Sequence, residues 1–461
     1  MRIVVIVSDT FRFDHLAAHG LVKVHTPNLD ALARRGADFL RCYTGSFPTG
    51  PNRADVYLGK YWFPRSEWAP LPTDETTLAQ RLGKAGHVTQ WIGDNPHLLK
   101  NNAFYHRGFS AAVQVRGQEG DVYFTRLNKP HPRIQTKAKT RHRPELFGMT
   151  LVNLHEWLNE PRYEADRFCC RTADLACRWL QENYKAKKWT LWLEFFDVHE
   201  PWDVPEYMWR RYDPDYRGAE MRHPNYGPAG AYTPPELRNL AAHYAGEVTL
   251  VDKCIGQILR QIDDCGIADD TAIVFTTDHG IALGEHNRTG KSNIHPGDSR
   301  AWLMFEELAH IPLVIYLPGM RPRKVRQYVQ PVDTTATILE MAGAKRDRSA
   351  HGTSLMGLVG GRGRRWRRDW AISSAHMGGL GATPSGLTML YAGRWAYCPR
   401  TERMGPGGVL FDMAADRQQK RNVARKFPQI AARMRRRMAR LLGEIGTPGE
   451  VVAALMNERG P

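Results

Sequence analysis

Residues 47–61 read F-P-T-G-P-N-R-A-D-V-Y-L-G-K-Y, and the rest of the chain can be organised around the threonine in this stretch. Pro51 suits the first turn of a helix, where its missing N–H costs nothing, so we expect Thr49 at or just before a helix N-terminus. The backbone amides and dipole of such a terminus favour an anion. Arg53 follows one turn later, near the same face. Its guanidinium could donate two hydrogen bonds to the oxygens of a sulfate or phosphate group beside the Thr49 hydroxyl. Taken alone, an ordinary N-capped surface helix would be the better interpretation.

Two further stretches predict buried strands that end in metal-ligand side chains. Residues 3–7 are consecutive apolar residues rich in β-branching, typical of a strand covered on both faces of a parallel sheet, and Asp9 follows them. A similar strand, T-A-I-V-F-T-T, precedes Asp278 and His279. Open α/β sheets bind ligands at the carboxyl ends of their strands. We therefore predict one divalent metal ion (Ca, Mn or Zn) bound by these two carboxylates, the imidazole and the Thr49 oxygen.

The remaining pattern alternates strands and helices, which is typical of an α/β fold. Further buried strands are predicted at residues 87–92 and 189–196. Helices are predicted at residues 27–36, 73–86, 164–182 and 233–265. The irregular, basic residues 116–162 are expected to be an insertion that borders the site. Short strands at 370–374, 387–391 and 395–397 and a basic helix at 428–442 predict a smaller unit, which divides the chain into an α/β domain at 1–365 and a C-terminal α+β subdomain at 366–461.

Composition narrows the class of protein. The 461 residues, 42% of them hydrophobic, supply ample material for a core. We expect no signal peptide, membrane span or disulfide framework, because the first apolar run is short and the seven cysteines include the adjacent pair Cys169 and Cys170; the predicted location is cytoplasmic. The formal charge of +16 includes clusters at residues 362–368 and 433–440, which we interpret as solvated surface. A nucleic-acid or membrane-surface patch is the alternative, but zinc-finger, RNP and Walker motifs are absent from the sequence.

The motifs together resemble the sulfatase family, part of the alkaline-phosphatase-like superfamily. In that family a nucleophile is followed by x-P-x-R and then A-x-x-x-x-G, a spacing kept here by Thr49, Pro51, Arg53, Ala54 and Gly59. The opening V-S-D-T-F-R-F-D-H and the closing L-F-D-M-A-A-D-R-Q-Q-K-R-N-V-A are similar to family motifs as well. The resemblance implies an alkaline-phosphatase-like sandwich, with a large mixed, mostly parallel sheet between helices and a smaller C-terminal α+β subdomain.

The resemblance also suggests roles for individual residues. His97 falls where the family often has a Lys-x-His pair facing the ester, His199 matches a histidine that follows a buried strand, and Lys291 matches a lysine beyond a G-E-H loop. These matches imply that His199, helped by His97, protonates the departing alcohol, and that Lys291 and Arg53 hold the ester oxygens. The alternatives are a loop histidine for His97, a solvated lysine for Lys291, and a second metal bound by Asp197 and His199.

Two residues depart from the family's pattern. Thr49 stands where sulfatases have the Cys or Ser that is oxidised to formylglycine, and Thr10 replaces a second aspartate, as in the phosphonate monoester hydrolase branch, which looks like the nearer relative. A formylglycine hydrate releases sulfate by collapsing to an aldehyde, which a threonine ester cannot do. We therefore predict a metal-dependent hydrolase of small anionic esters that favours phosphodiesters or phosphonate monoesters. The sequence leaves the oligomeric state open between a monomer and a homo-oligomer. The alternatives are a sulfuric ester hydrolase without formylglycine and a catalytically silent sulfatase-like binding protein.

Overall fold

A computed structural model describes residues 1–65, 68–99, 103–134, 149–292, 302–363, 366–375, 388–399 and 408–456. The strands of its N-terminal part are β1 (Arg2–Ser8), β2 (Ala37–Phe39), β3 (Cys42–Tyr43), β4 (Val88–Gly93), β5 (Ala111–Gln114), β6 (Trp189–Phe195), β7 (Thr271–Thr276), β8 (Ala282–Leu283), β9 (Thr289–Gly290), β10 (His310–Ile311), β11 (Leu313–Tyr316) and β12 (Arg323–Val325). Eight of them form one sheet in the order β12-β2-β11-β7-β1-β6-β4-β5. The short strands β3 and β10 pair with each other, as do β8 and β9.

The large sheet is mixed and mostly parallel, as the sequence predicted. Strands β7, β1, β6, β4 and β5 run parallel to one another, and so do β12 and β2, whereas β11 lies between these two groups and runs antiparallel to both β7 and β2. Successive side chains of β1 point to opposite faces. Val4 and Ile6 join one hydrophobic cluster, and Ile3, Val5 and Val7 join another. The sheet therefore has an apolar core on each face, which explains why its central strand is a continuous apolar run.

Helices cover both of these faces. The helices before the C-terminal sheet are α1 (Pro27–Arg35), α2 (Thr49–Leu58), α3 (Leu78–Lys84), α4 (Leu151–Asn159), α5 (Phe168–Asn183), α6 (Glu206–Trp209), α7 (Pro234–Asp264), α8 (Glu306–Ala309), α9 (Pro331–Met341) and α10 (Met356–Val359). Helices α1, α5 and α7 pack on the face of Val4, and α2, α3 and α9 pack on the face of Val5. Among the described helices, none combines the length and apolar composition needed to cross a bilayer.

Two helices begin later than the sequence predicted. Helix α3 begins at Leu78 because Thr77 and Gln80 form a capping box. The Thr77 hydroxyl accepts from the Gln80 amide at 3.2 Å, and the Gln80 side chain accepts from the Thr77 amide at 2.9 Å. Helix α5 begins at Phe168, since Glu164–Asp166 form a separate 3-10 turn. The predicted helices at 27–36 and 233–265 are confirmed as α1 and α7.

The C-terminal part contains a four-stranded antiparallel sheet. Its elements are β13 (Trp370–Ser373), β14 (Met389–Ala392), β15 (Trp395–Cys398), β16 (Val409–Asp412), α11 (Pro428–Glu444) and α12 (Gly449–Met456). The three predicted strands and the basic helix are confirmed, although residue 387 lies outside the described residues. Strand β16 was not predicted, because its last three residues, L-F-D, were interpreted as the start of the closing motif. Tyr61, Phe63 and Val332 belong to the same hydrophobic cluster as this sheet, and the division into domains at residue 365 stays a prediction.

Gly352 gives a test of the packing between α9 and the segment that follows it. A Cβ atom here would overlap the carbonyl oxygen of Val332. We expect Gly352→Ala to lower the free energy of unfolding by roughly 3 kcal/mol, because backbone atoms would have to move. Gly83 lies in α3 with open space around its Cβ position, so Gly83→Ala should instead raise stability by roughly 0.5–1 kcal/mol. Urea unfolding at unchanged slope measures both, and an unaltered midpoint for Gly352→Ala would contradict the close approach.

Candidate active site

Neighbouring strands β1 and β7 end at the same edge of the sheet, where three potential metal ligands meet. Asp9 follows β1, and Asp278 and His279 follow β7. Their ligand atoms lie within 4.8 Å of one another, and all three side chains are fully buried. His279 Nδ1 lies 3.0 Å from the carbonyl oxygen of Gly280, so Nδ1 carries the proton and Nε2 carries the lone pair. The structure thus brings together the predicted ligands, and their binding of a metal stays a prediction.

The electrostatics of this group fit a divalent cation. Burial, followed by the charge of Asp278, raises the pKa of Asp9 well above its usual range. Burial also opposes ionisation of Asp278, but His279 and Arg53 hold the pKa of that carboxyl well below its usual range. Asp278 Oδ2 accepts no well-aligned hydrogen bond within the described part of the chain, although Arg53 Nη1 lies 3.1 Å from it as an ion-pair partner. Two close, buried carboxylates and an imidazole lone pair are therefore suited to binding Ca, Mn or Zn.

Thr49 is the first residue of α2, as the sequence predicted. Its hydroxyl donates to Asp9 Oδ2 at 3.2 Å and lies 3.4 Å from His279 Nε2. All ten residues of α2 are buried, so the interpretation of this segment as an ordinary surface helix is wrong. The Thr49 oxygen is directed into the group of metal-ligand side chains, where a nucleophile would be needed.

Arg53 lies one turn into α2 and is held by Glu194, which was not among the predicted site residues. Its Nε lies 3.0 Å from each carboxylate oxygen of Glu194, and Nη2 lies 2.8 Å from Glu194 Oε2. Nη1 is 3.1 Å from Asp278 Oδ2, and Nη2 is 3.8 Å from Asp9 Oδ2. The guanidinium therefore compensates three buried carboxylates, and its contact with a substrate stays a prediction. Glu194 could have been noticed as the single acid within the apolar strand at 189–196.

Lys291 is connected to the site through Thr10. Lys291 Nζ donates to the Thr10 hydroxyl oxygen at 3.0 Å, and that hydroxyl donates to Asp9 Oδ1 at 2.7 Å. Nζ also lies 3.8 Å from Glu200 Oε2, and Tyr226 donates a hydrogen bond to the other oxygen of Glu200. Lys291 is buried, so the alternative of a solvated loop lysine is wrong. The threonine that replaces the expected second aspartate thus links the lysine to Asp9.

His97 is the partly exposed histidine of the site, with 31% of its side chain accessible. Its Nε2 lies 2.9 Å from Glu119 Oε2. Burial opposes ionisation of Glu119, but the neighbouring His97 lowers the pKa of Glu119 to about 2. Two residues before His97, Asn95 donates from Nδ2 to Asp9 Oδ2 at 3.1 Å. Glu119 lies near the start of segment 116–162, which was predicted to be irregular and to border the site; its described residues include the unpredicted helix α4, and no feature of the sequence marks Glu119.

His199 is buried and holds its ring in a fixed orientation. The ring stacks on Phe196 with centroids 4.0 Å apart, and its centroid lies 6.3 Å from that of His97. Nδ1 donates to the carbonyl oxygen of Glu200 at 2.7 Å. Burial, followed by the charge of Lys291, holds the pKa of His199 well below its usual range. A neutral His199 therefore carries its proton on Nδ1 and a lone pair on Nε2.

Asp197 does not join His199 in a common site. Its carboxylate accepts from Gln118 Nε2 at 2.6 Å and from the Cys169 amide at 3.1 Å. In the described residues, His199 is grouped with His97 and Glu119 as potential ligands, whereas Asp197 falls in a different group. The alternative of a second metal bound by Asp197 and His199 is therefore wrong.

A mixed sheet between helices, with carboxylates, an imidazole and a hydroxyl converging at its carboxyl edge, is the alkaline-phosphatase-like architecture that the sequence predicted. The chain belongs to the sulfatase family, because the family model described as Sulfatase matches residues 2–344. Members of this family are metal-dependent hydrolases that act on ester bonds.

Individual relatives are similar over most of the chain. Arylsulfatase K of Gallus gallus is 25% identical over 456 residues, which cover 93% of this chain and 80% of the relative. The crystal structure of the phosphonate monoester hydrolase of Agrobacterium radiobacter superposes with a TM-score of 0.74 at 22% identity, covering 96% of both chains. The phosphonate monoester hydrolase of Silicibacter pomeroyi has a TM-score of 0.72 at 22% identity, covering 97% of this chain and 96% of the other. At these identities, the structural likeness establishes the fold.

Glu194→Gln tests the compensation of the buried guanidinium. Removing this charge leaves Arg53 buried without its bidentate partner, so we expect the free energy of unfolding to fall by roughly 3 kcal/mol. Glu182→Gln is the matched control, since Glu182 is exposed and pairs with Arg178 on the surface of α5; its effect should be less than about 0.5 kcal/mol. Urea unfolding followed by circular dichroism compares the two, and equal midpoints would refute the compensating role of Glu194.

Metal binding at Asp9, Asp278 and His279 can be measured without an activity assay. We expect Ca, Mn or Zn to raise the thermal unfolding midpoint of chelator-stripped protein, because an ion that binds only the native state stabilises it. Asp278→Asn should remove most of this shift, whereas Asp263→Asn, on the exposed face of α7, should keep it. An Asp278→Asn protein that responds like the unmodified protein would show that the ion binds elsewhere.

Proposed function

We propose that the protein is a metal-dependent hydrolase of phosphodiesters or phosphonate monoesters in which Thr49 is the nucleophile. The observation that carries this proposal is the position of the Thr49 hydroxyl, 3.2 Å from Asp9 Oδ2 and 3.4 Å from His279 Nε2, at the start of a buried helix. Two phosphonate monoester hydrolases among the solved structures of the same fold support the choice of ester.

The carbon skeleton of threonine favours phosphorus over sulfur esters. Cys and Ser have a CH2 group that oxidation converts to an aldehyde, whereas the Cβ of Thr49 carries a methyl group and could give only a ketone. A group transferred to Thr49 must therefore leave by attack of water on its central atom. In-line attack of water on a phosphoryl group is ordinary chemistry for phosphorylated enzymes, which supports phosphate-type substrates.

The charges around Thr49 favour an ester that carries a single negative charge. In the part of the chain that the structure describes, the acids that converge here are Asp9, Asp278, Glu194 and Glu200, and the bases that meet them are Arg53 and Lys291. These four negative and two positive charges would be balanced by one divalent cation. Little positive charge is then left for a dianion, whereas phosphodiesters and phosphonate monoesters are monoanions.

The proposed mechanism assigns a task to each side chain. A divalent cation held by Asp9, Asp278 and His279 would supply Lewis acidity at the Thr49 hydroxyl and compensate the carboxylates. The Thr49 proton leaves along the hydrogen bond to Asp9 Oδ2, and the oxygen attacks the phosphorus as the bond to the alcohol breaks. Lys291 and Arg53 face the ester oxygens, and His97 and His199 serve the departing alcohol. Water then releases the group from Thr49.

A sulfuric ester hydrolase is the second candidate, and the arylsulfatase K relatives favour it. In that case Thr49 would attack sulfur directly or position a water molecule. A catalytically silent binding protein is less well supported, because the Thr49 hydroxyl keeps hydrogen-bond reach of Asp9 and Lys291 keeps its link to the same carboxylate.

The deciding experiment compares turnover of p-nitrophenyl sulfate, p-nitrophenyl phosphate, a p-nitrophenyl phosphodiester and p-nitrophenyl phenylphosphonate in the presence of Ca, Mn or Zn. We expect the phosphodiester and the phosphonate ester to react fastest. Thr49→Val keeps the shape but lacks the hydroxyl, so kcat should fall at least about 10³-fold. Thr49→Ser keeps the hydroxyl and should keep most of the activity, with its intact mass measured to exclude oxidation to formylglycine. Acid quenching should trap a phosphoryl group on Thr49, detected by mass spectrometry.

Two outcomes would contradict this proposal in different ways. Turnover of the sulfate ester alone, surviving in Thr49→Val, would point to direct attack by water and to the sulfuric ester hydrolase. A protein that binds the divalent ion but turns over none of the esters would point to the binding protein.

A further inference from the structure

The loop that carries Glu119 is held in place by its neighbours in the sequence. Arg116 and Asp121 close the loop, since the Asp121 carboxylate accepts two hydrogen bonds from Arg116, at 2.5 and 2.7 Å. Gln118 ties the loop to the end of β6 by donating to Asp197 at 2.6 Å. Glu119 itself has a φ of 48°, in the left-handed region that glutamate adopts rarely and at a cost of about 1 kcal/mol or more. The anchors hold Glu119 in this conformation, which presents its carboxylate to the partly exposed histidine of the site.

The two histidines near the leaving-group side of the site differ in which nitrogen can donate a proton. His199 uses its Nδ1 proton to bond the carbonyl oxygen of Glu200, so its Nε2 can only accept a hydrogen bond while the ring is neutral. Its burial next to Lys291 disfavours a second proton. His97 has Nε2 directed at the carboxylate of Glu119 at 2.9 Å, an anion that stabilises an imidazolium. A protonated His97 then has Nδ1 available as a donor.

We propose that Glu119 is a positioning residue that holds His97 as the proton donor to the departing alkoxide. This proposal rests on the phosphoryl-transfer function proposed above. It also exchanges the roles of the two histidines, because His97 rather than His199 donates the proton to the leaving group. The carboxylate fixes the orientation of the imidazole by its contact with Nε2, which leaves Nδ1 to face the departing group. His199 then acts as a hydrogen-bond acceptor through Nε2.

The proton transfers balance over the two steps. In the first step the bond between Thr49 Oγ1 and phosphorus forms, and the bond from phosphorus to the alcohol oxygen breaks. The alkoxide keeps the electron pair and takes the proton from His97 Nδ1, while the Thr49 proton moves to Asp9. In the second step neutral His97 takes a proton from the attacking water, the bond from phosphorus to Thr49 breaks, and Asp9 returns the proton to Thr49.

The charged surroundings of His97 agree with this role. Glu119 is in direct contact with the imidazole, and its carboxylate is ionised. His199 faces His97 with ring centroids 6.3 Å apart. Behind His199, the positive charge of Lys291 lies 3.8 Å from Glu200, which reduces its repulsion of an imidazolium.

The same three residues, His97, Glu119 and His199, would also fit a metal ion, because their ligand atoms lie within 4.8 Å of one another. In that case neither histidine could donate a proton to the leaving group. Glu119 Oε2 is already paired with His97 Nε2, which favours the ion pair over an ion site. A test of Glu119 must therefore separate proton donation from metal binding.

The test is a leaving-group series of phenylphosphonate monoesters that runs from 2,4-dinitrophenol through p-nitrophenol and phenol to benzyl alcohol. A dinitrophenolate needs no proton, whereas a benzyl alkoxide does. We expect Glu119→Gln to lower kcat/KM for the benzyl ester about 100-fold and for the dinitrophenyl ester less than about threefold. His97→Asn should give the same pattern, and the double variant should be no slower than His97→Asn. Glu182→Gln, an exposed glutamate on α5, should behave like the unmodified protein.

Three results would overturn the role of Glu119. An equal loss for all leaving groups would mean a structural effect. A second divalent ion per chain, removed by Glu119→Gln in metal analysis, would mean that the three residues bind metal. Nitrogen NMR of histidine-labelled protein is independent of turnover: a proton on His97 Nε2, directed at Glu119, supports the proposal, and an Nε2 without a proton in the unmodified protein refutes it. If only sulfate esters react, the phosphorus-ester function fails, and the same series made as sulfates still tests Glu119.

Discussion

The burial of Arg53 among Glu194, Asp278 and Asp9 is the interaction on which the rest of the site depends. Charges removed from water cost several kcal/mol each unless they are paired. The three carboxylates come from neighbouring strands, since β7, β1 and β6 lie side by side in the sheet and each ends at, or contains, one of them. Helix α2 supplies the guanidinium and can dock only where it meets all three. The same docking places Thr49, one turn earlier, against Asp9.

Asp9 is the centre of a hydrogen-bond network built from uncharged donors. Thr49 and Asn95 donate to Oδ2, and Thr10 donates to Oδ1. The Thr10 hydroxyl also accepts a hydrogen bond from the Lys291 ammonium, so this hydroxyl connects Lys291 to the carboxylate of Asp9. A second aspartate in place of Thr10 would add a negative charge next to Asp278. Its absence reduces repulsion within the site and leaves more of the charge of Lys291 available to an anionic ester.

The sequence predicts the parts of the site that follow from strand ends and helix starts. Apolar runs of β-branched residues identified β1 and β7, and the acids after them could be assigned to one edge of the sheet because parallel strands share their direction. The proline after Thr49 located the start of α2. Glu194 was missed because its strand was interpreted only as apolar core, although an acid inside such a run requires a buried partner. Glu119 could not be found, because its position depends on the path of an irregular loop rather than on any periodic pattern.

The charge of the whole chain and the charge of the site act at different distances. The chain carries a formal charge of +16, and helix α11 buries Met434 and Met438 while Arg433, Arg436 and Arg440 face solvent. The electric field of this positive charge attracts any anion from solution, but dissolved salt screens the attraction beyond about 10 Å. Within the site, acids outnumber bases, so the attraction of a bound anion depends on the cation and on the few donors that are not already paired. A hydrolase of monoanionic esters requires this combination. The positive charge of the whole chain attracts anions from a distance, and the absence of a large local excess of positive charge at the site disfavours anions that carry a second charge.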